Sequence, residues 1–218
     1  MSAPGSGSRG RFITVEGGEG TGKSTQVRML AESLRGLGLS VVATREPGGA
    51  PAAEEIRALL VQGAVRRWSP VSETLLHYAA RREHLDHTIL PALAAGQWVV
   101  SDRFADSTMA YQGYGLELGT TFVATLHHLA VGAIAPDLTL VLDLPVEEGL
   151  ARAVARAGGE DRYERMDRAF HERVRRGFLA IAEADPERCV VIDAGGSPEA
   201  VAAALLEHVA ARLGPVAT

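Results

Sequence analysis

The chain has 218 residues with 22 basic and 27 acidic side chains, so its formal net charge is -5 at neutral pH. This acidic balance argues against an extended surface for nucleic acid or anionic membranes and confines any phosphate binding to a pocket. Cys189 is the only cysteine, which excludes an intramolecular disulfide and a zinc site built from several cysteines, and which fits a reducing cytoplasm.

The first ten residues, 1–10, are rich in Ser, Gly and Pro and predict a flexible tail without the features of a signal peptide. Residues 11–214 have ordinary globular composition without an interdomain linker, and predict a single domain. No apolar run reaches the roughly 20 residues that a membrane-spanning helix needs. We therefore expect a soluble, cytoplasmic protein.

Five short apolar or β-branched runs alternate with longer helical patterns, which predicts an α/β fold: a five-stranded parallel sheet with helices on both faces. The predicted strands are residues 12–15, 40–44, 98–101, 138–142 and 189–192. A charged residue follows each strand, and because ligands of such sheets bind at the carboxyl ends of the strands, these side chains are expected near the site. They are Glu16, Arg45, Asp102, Asp143 and Asp193.

Helical spacing and capping residues predict seven helices between and after these strands. They cover residues 23–37, 52–60, 69–90, 120–131, 147–157, 163–184 and 198–213. Ser69 and Pro70 suit the cap and first turn of the third helix. The glycines that follow residue 157 are a C-terminal stop signal for the fifth.

Residues 17–24 follow the first strand and read GGEGTGKS, the P-loop pattern G-x-x-x-x-G-K-[ST]. Its glycines allow backbone N–H groups to surround phosphate oxygens beside the positive end of a helix. Lys23, the only lysine of the chain, would reach the β and γ phosphates of a nucleotide. The predicted ATP-binding residues are Gly17, Gly18, Gly20, Thr21, Gly22, Lys23, Ser24 and Thr25.

A Mg²⁺ site is expected beside this loop, with the Ser24 hydroxyl as one ligand. Asp102 and Asp143 both end a predicted strand and compete to be its carboxylate partner. Asp102 is favoured because Arg103 beside it supplies a planar fork for a second phosphate group.

Further arginines lie at the end of the second predicted strand and within the fifth predicted helix. Arg45 ends the second strand, within the turn sequence Arg-Glu-Pro-Gly-Gly. Arg152 and Arg156 are four residues apart and share a helix face. Glycines follow them, and an arginine-bearing lid over residues 152–164 could neutralise a transferring phosphoryl group.

Six segments together make the chain resemble the bacterial thymidylate kinases. They are residues 12–25 (FITVEGGEGTGKST), 45–49 (REPGG), 78–81 (YAAR), 102–104 (DRF), 107–113 (STMAYQG) and 136–143 (PDLTLVLD), in family order. The likeness is looser after residue 143. The resemblance implies a P-loop NTPase fold with a lid, Mg²⁺-dependent transfer of the γ-phosphoryl group of ATP to dTMP, and a homodimer.

The resemblance also implies roles for single residues. Arg45 and Arg103 would approach the acceptor phosphate, Glu19 the sugar 3′-hydroxyl, and Tyr111 the 2′ position. The implied acceptor-binding residues are Glu19, Arg45, His77, Arg81, Arg103, Ser107, Thr108, Tyr111 and Gln112, with Arg81 and Thr108 at the thymine edge. The implied catalytic residues are Lys23, Arg103, Arg152, Arg156 and Arg162, the last three in the lid because the P-loop has no arginine. His77 replaces the usual stacking phenylalanine, and Val154 interrupts the arginine series of the lid.

Three other functions are compatible with a P-loop. The first is a kinase for another nucleotide or a nucleoside. The second is a GTP-dependent switch, which would normally carry an Asn-Lys-x-Asp motif, whereas this chain contains no asparagine. The third is an ATPase stimulated by nucleic acid, which the acidic balance disfavours.

Overall fold

A computed structural model describes residues 9–156 and 162–214 of the chain. Its five strands form one parallel sheet in the order β2-β3-β1-β4-β5. The strands are β1 Phe12–Gly17, β2 Val41–Arg45, β3 Trp98–Asp102, β4 Leu138–Asp143 and β5 Cys189–Asp193. All five predicted strands are confirmed.

Helices connect the strands throughout the described residues. They are α1 Lys23–Gly36, α2 Pro51–Val61, α3 Pro70–His84, α4 Leu90–Ala94, α5 Ala105–Thr108, α6 Thr120–Ala130, α7 Val146–Arg156, α8 Arg168–Ala184 and α9 Pro198–Leu213. A π-helical stretch, Leu85–Ile89, joins α3 to α4, and a second, Met109–Gly115, continues α5. The predicted cap of α3 is confirmed, because the Ser69 side chain accepts a hydrogen bond from Ser72 N.

The sheet separates two apolar layers because neighbouring residues of a strand face opposite sides. Ile13 packs with Leu34 of α1 and Leu205 of α9 on one face. Phe12 packs with Tyr78 of α3 on the other. Each fully buried leucine or phenylalanine contributes roughly 1.5–3 kcal/mol to the stability of the folded state. The two layers therefore hold the strand ends in fixed positions.

One prediction of helix position was wrong, and one helical segment was not predicted. The helix expected from residue 163 begins at Arg168, because Asp167 accepts a hydrogen bond from Phe170 N and caps it there. The helical residues 105–115 were not predicted at all. Two glycines and a π-helical stretch in this segment weaken the 3.6-residue periodicity on which the prediction depends. The predicted tail residues 1–8 and the lid residues 157–161 lie outside the described residues.

The register of the sheet brings three strand ends to one level. Asp102 is paired with Val15 of β1 on one side and with Arg45 of β2 on the other. The carboxyl ends of β1, β2 and β3 therefore meet at one edge, where the P-loop leaves β1.

Candidate active site

The loop between β1 and α1 has the backbone that its glycines predict. Gly17, Gly20 and Gly22 have φ angles of 141°, 68° and 89°, which side-chain-bearing residues rarely adopt. A Cβ on Gly20 would lie 1.8 Å from the carbonyl oxygen of Gly149, so the loop packs directly on the first turns of α7. The loop therefore needs glycine both for its conformation and for this close approach.

Lys23 is held inside this loop. Its side chain is 8% exposed, and its Nζ donates to Gly18 O at 2.5 Å and to Thr21 Oγ1 at 3.3 Å. Burial, together with the nearby charge of Arg103, lowers the pKa of Lys23 to about 8. A bound anion would favour the charged form of this lysine, as expected for a phosphate-binding group.

Ser24 and Asp102 form the oxygen pair expected at a Mg²⁺ site. Ser24 Oγ donates to Asp102 Oδ2 at 2.5 Å. Asp143, the competing carboxylate, instead accepts two hydrogen bonds from Arg175 at 2.7 and 2.8 Å. The described residues contain no cluster of three or more His, Cys, Asp or Glu side chains that could hold a metal. Two hard oxygens suit Mg²⁺, which usually keeps waters and takes further ligands from substrate phosphates.

A cavity of about 540 Å³ extends from the P-loop to α3. All nine implied acceptor-binding residues line it: Glu19, Arg45, His77, Arg81, Arg103, Ser107, Thr108, Tyr111 and Gln112. Of the implied ATP-binding residues, Gly20, Gly22, Lys23, Ser24 and Thr25 also line it, whereas Gly17, Gly18 and Thr21 do not. One cavity thus joins a phosphate-binding loop to a set of polar side chains far from it in sequence.

Arg103 is the central cation of this cavity. It has an unusual φ of 72°, and its guanidinium donates to Gly17 O at 3.0 Å and to Ser107 Oγ, Glu19 Oε1 and Tyr111 Oη at 3.1 Å. Burial disfavours the charge of Arg103, but Tyr111 and Glu19 outweigh it and raise its pKa. Although burial opposes ionisation of Glu19, Arg103 and Lys23 lower its pKa to about 2. Both groups are therefore charged at neutral pH.

Arg81 lies at the other end of the cavity, among aromatic rings. Its Nε donates to Glu46 Oε2 at 2.7 Å, and its Nη2 donates to Phe104 O and Thr108 Oγ1, both at 2.9 Å. Its Nη1 is buried without a hydrogen-bond partner among the described residues. A buried donor without a partner is costly, so this atom is a candidate contact for a ligand acceptor.

Comparison with known proteins agrees with this arrangement. The sequence model of the family described as "Thymidylate kinase" matches residues 15–205. The chain belongs to the thymidylate kinase family. It is 56% identical over 206 residues to a thymidylate kinase of Caulobacter vibrioides, a match that covers 94% of this chain and 99% of the relative. It is 57% identical to one of Gluconobacter oxydans over 92% of this chain and 94% of that relative.

The fold has a counterpart among solved structures. The crystal structure of thymidylate kinase from Ehrlichia chaffeensis superposes with a TM-score of 0.76 at 33% identity, covering 92% of this chain and 99% of the other. The predicted α/β P-loop fold and the predicted kinase class are therefore confirmed. The roles of single residues in this member of the thymidylate kinase family stay predictions.

The three arginines that were predicted for the lid of this chain lie in different places. Arg152 Nη1 donates to Ala194 O, the residue after β5, at 3.0 Å. Arg156 ends α7, and its side chain lies outside the described residues. Arg162 is buried in an ion pair with Glu73 and does not line the cavity. Arg152 and Arg162 therefore have separate partners and are not brought together at the cavity. Arg45, by contrast, lies at the cavity with Glu54 as its ion-pair partner at 3.0 Å.

His77 lies where the resemblance places a stacking ring. It lines the cavity, and its Nε2 is 2.9 Å from the hydroxyl of Tyr163. Burial, with a contribution from Arg81, lowers the pKa of His77 to about 3. The ring is therefore neutral at physiological pH and can stack as an uncharged aromatic.

Glu16 has a structural role that its position at the end of β1 did not reveal. It is fully buried, accepting hydrogen bonds from Phe104 N at 2.7 Å and from Ser107 Oγ at 2.5 Å. Burial and the nearby Asp106 raise its pKa to about 7. It thus anchors Phe104 and Ser107, which follow Arg103 in the chain.

Sequence reasoning missed several residues that line the cavity. They are Glu46, Pro47, Arg57, Val61, Phe104, Tyr163 and Glu164. A signal existed for Arg57, which lies four residues after the buried Ala53 and therefore on the same face of α2. Tyr163 and Glu164 had none, because the turn that contains them was predicted as helix.

Proposed function

We propose that this protein transfers the γ-phosphoryl group of ATP to the phosphate of dTMP, producing ADP and dTDP. The observation that carries the proposal is one continuous cavity with the P-loop at one end and the buried, unpartnered Arg81 Nη1 at the other. A nucleotide base that accepts a hydrogen bond would satisfy this donor, and the O4 atom of thymine is such an acceptor. Family membership supports the same acceptor.

The sugar and acceptor phosphate would bind in the middle of the cavity. Arg103 and Arg45 supply the positive charge, and Arg103 is preorganised by its four protein partners. Because its pKa is held low, Glu19 remains a carboxylate and can accept a hydrogen bond from the 3′-hydroxyl. Tyr111 would occupy the space that a 2′-hydroxyl needs and so favour deoxyribose.

The ATP phosphates would bind the P-loop, with Lys23 against the β and γ phosphates. Ser24 and Asp102 would hold Mg²⁺, which when bound neutralises phosphate charge and orients the transferring group. The acceptor phosphate is already an anionic nucleophile, so direct in-line transfer needs positioning and charge neutralisation, and no covalent enzyme intermediate. We infer that Arg152 and Arg156 complete this neutralisation from the lid.

An ADP-release assay with Mg·ATP and the acceptors dTMP, dUMP, dCMP and thymidine tests the proposal. We expect the highest kcat/KM with dTMP and no turnover with thymidine, which lacks the acceptor phosphate. Preference for thymidine or for dCMP would assign another kinase activity. Equal ADP release without any acceptor would assign an ATPase. A parallel reaction with GTP tests for the GTP-dependent switch, and one with added DNA tests for the ATPase stimulated by nucleic acid.

We also infer a homodimer in the cytoplasm. Apolar side chains on three neighbouring helices are exposed, namely Leu59 of α2, Val71 and Leu75 of α3, and Phe122 and Leu129 of α6. A surface of this kind favours association, and sedimentation velocity measures the mass directly.

The single buried thiol fits a reducing compartment. No helix of the described segments is long and apolar enough to cross a bilayer.

A further inference from the structure

The base end of the cavity is backed by a buried carboxylate. Glu73, in the first turn of α3, is 2% exposed. Its Oε1 accepts hydrogen bonds from Gln112 Nε2 at 2.8 Å and from Tyr163 Oη at 2.9 Å, and its Oε2 is paired with Arg162. One side chain thus connects α3, the π-helical stretch and the turn before α8.

This carboxylate decides which end of the Gln112 amide is available. An ionised carboxylate only accepts hydrogen bonds, so the Gln112 nitrogen must face Glu73 and the carbonyl oxygen must point away from it. Gln112 is 1% exposed and lines the cavity. The oxygen, which is an acceptor, is therefore the end left for a ligand.

The same carboxylate selects the tautomer of His77 through Tyr163. The tyrosine hydroxyl has one proton and donates it to Glu73. The contact of 2.9 Å between Tyr163 Oη and His77 Nε2 then requires the histidine to donate from Nε2. A neutral imidazole carries one N–H, so His77 Nδ1 is left as an acceptor.

Arg162 supplies the opposite charge. It is 3% exposed, and the pair with Glu73 is therefore removed from water. Deleting one partner of such a pair leaves an uncompensated buried charge, which is strongly destabilising. The pair holds the turn that carries Tyr163 against α3.

We propose that Glu73 is a positioning residue for base recognition: with Arg162 as its counter-ion, it presets the amide of Gln112 and the ring of His77. The inference rests on the proposed dTMP kinase activity. Thymine carries a donor at N3, whereas cytosine carries an acceptor there. A Gln112 oxygen directed at this position accepts from thymine and repels cytosine, so Glu73 controls discrimination without touching the substrate.

The kinetic test is Glu73→Gln, which keeps the size of the side chain but can present an N–H to Gln112 and so permits the amide to rotate. We expect the ratio of kcat/KM for dTMP over dCMP to fall at least tenfold, mainly through the KM for dTMP, with the KM for ATP within about twofold of wild type. If the role of Glu73 were merely structural, kcat/KM would fall equally for dTMP and dCMP. An unchanged ratio therefore overturns the proposal.

Tyr163→Phe is the matched control. It removes the hydroxyl between Glu73 and His77, and with it a long hydrogen bond of 3.4 Å from Gln112 Nε2, but it leaves the shorter carboxylate contact with Gln112 and the pair with Arg162. We expect its dTMP/dCMP ratio to stay within about threefold of wild type, and a collapse as large as that of Glu73→Gln would refute the part assigned to the amide. If Glu73→Gln fails to fold, the double variant Glu73→Gln/Arg162→Met removes both buried charges and carries the same prediction.

Nitrogen NMR of ¹⁵N-histidine-labelled protein tests the tautomer without activity. We expect His77, assigned by its loss in His77→Phe, to carry its proton on Nε2 in the wild type and to become a mixture in Tyr163→Phe. A proton on Nδ1 in the wild type would overturn the proposal even in an active dTMP kinase. Wild-type protein without dTMP kinase activity would instead refute the proposed function, whatever the NMR result.

Discussion

Glu16 should make the stability of the protein depend on pH in a direction opposite to that of a salt-bridged carboxylate. Its pKa rises from 4.5 to about 7 because it is buried, with Asp106 adding to the effect. Between these values the folded protein holds a proton that the unfolded chain has released. Stability from this group is therefore complete below pH 4.5, falls as pH rises, and reaches its lower limit above pH 7.

The magnitude follows from the two pKa values. A difference of one unit between the folded and unfolded pKa corresponds to about 1.36 kcal/mol. The full loss of unfolding free energy is therefore ~3 kcal/mol, of which ~2–3 kcal/mol is lost between pH 5 and pH 8. Glu16→Gln removes the titration. The amide adds a cost of its own, because it cannot accept from both Phe104 N and Ser107 Oγ, but this cost does not vary with pH.

Urea unfolding at pH 5, 6, 7 and 8, at fixed protein concentration, measures this difference. The free energy of unfolding of Glu16→Gln, taken relative to that of wild type, should rise by ~2–3 kcal/mol from pH 5 to pH 8. Glu32→Gln, which replaces an exposed carboxylate of α1, sets the background. If the wild-type and Glu16→Gln curves run parallel, the proton is not held by Glu16 in the folded state and the reasoning fails.

Three substitutions test the cavity itself. Lys23→Ala should lower kcat by about a hundredfold or more, because charge neutralisation at the phosphates is lost, while circular dichroism stays unchanged; near-normal turnover of the folded variant would contradict this. Arg81→Lys should raise the KM for dTMP about tenfold or more with a smaller change in kcat, since lysine cannot keep three planar contacts; an effect confined to the KM for ATP would place Arg81 elsewhere. Asp102→Asn should raise the Mg²⁺ concentration for half-maximal rate several-fold, because an amide oxygen binds the cation more weakly than a carboxylate, and an unchanged Mg²⁺ titration would remove Asp102 from the metal site.

Some of the site could be predicted because its signal is local. The P-loop residues 17–24 are contiguous, and their glycines are needed for a backbone conformation that the segment itself adopts. The strands were equally predictable, because buried parallel strands are short apolar runs and end at charged residues such as Asp102. The order of motifs along the chain was enough for the kinase family.

The remaining assignments depended on contacts between distant segments. Asp102 and Asp143 look alike in sequence, and only the sheet register and the packing of α8 show that Asp102 meets Ser24 while Asp143 meets Arg175. Residues 105–115 escaped prediction because packing, and not local periodicity, stabilises their irregular helix.

By itself, the sequence determined the phosphate-binding loop, the alternation of strands and helices, and the residue types available in the part of the cavity proposed to bind dTMP. Only the tertiary structure decided how those residues are oriented. Arg162 reads as one more lid arginine until it meets Glu73, 89 positions away in the chain. The reason is physical: a buried charge must find a partner wherever the fold provides one, and no local pattern of residues encodes which partner that is.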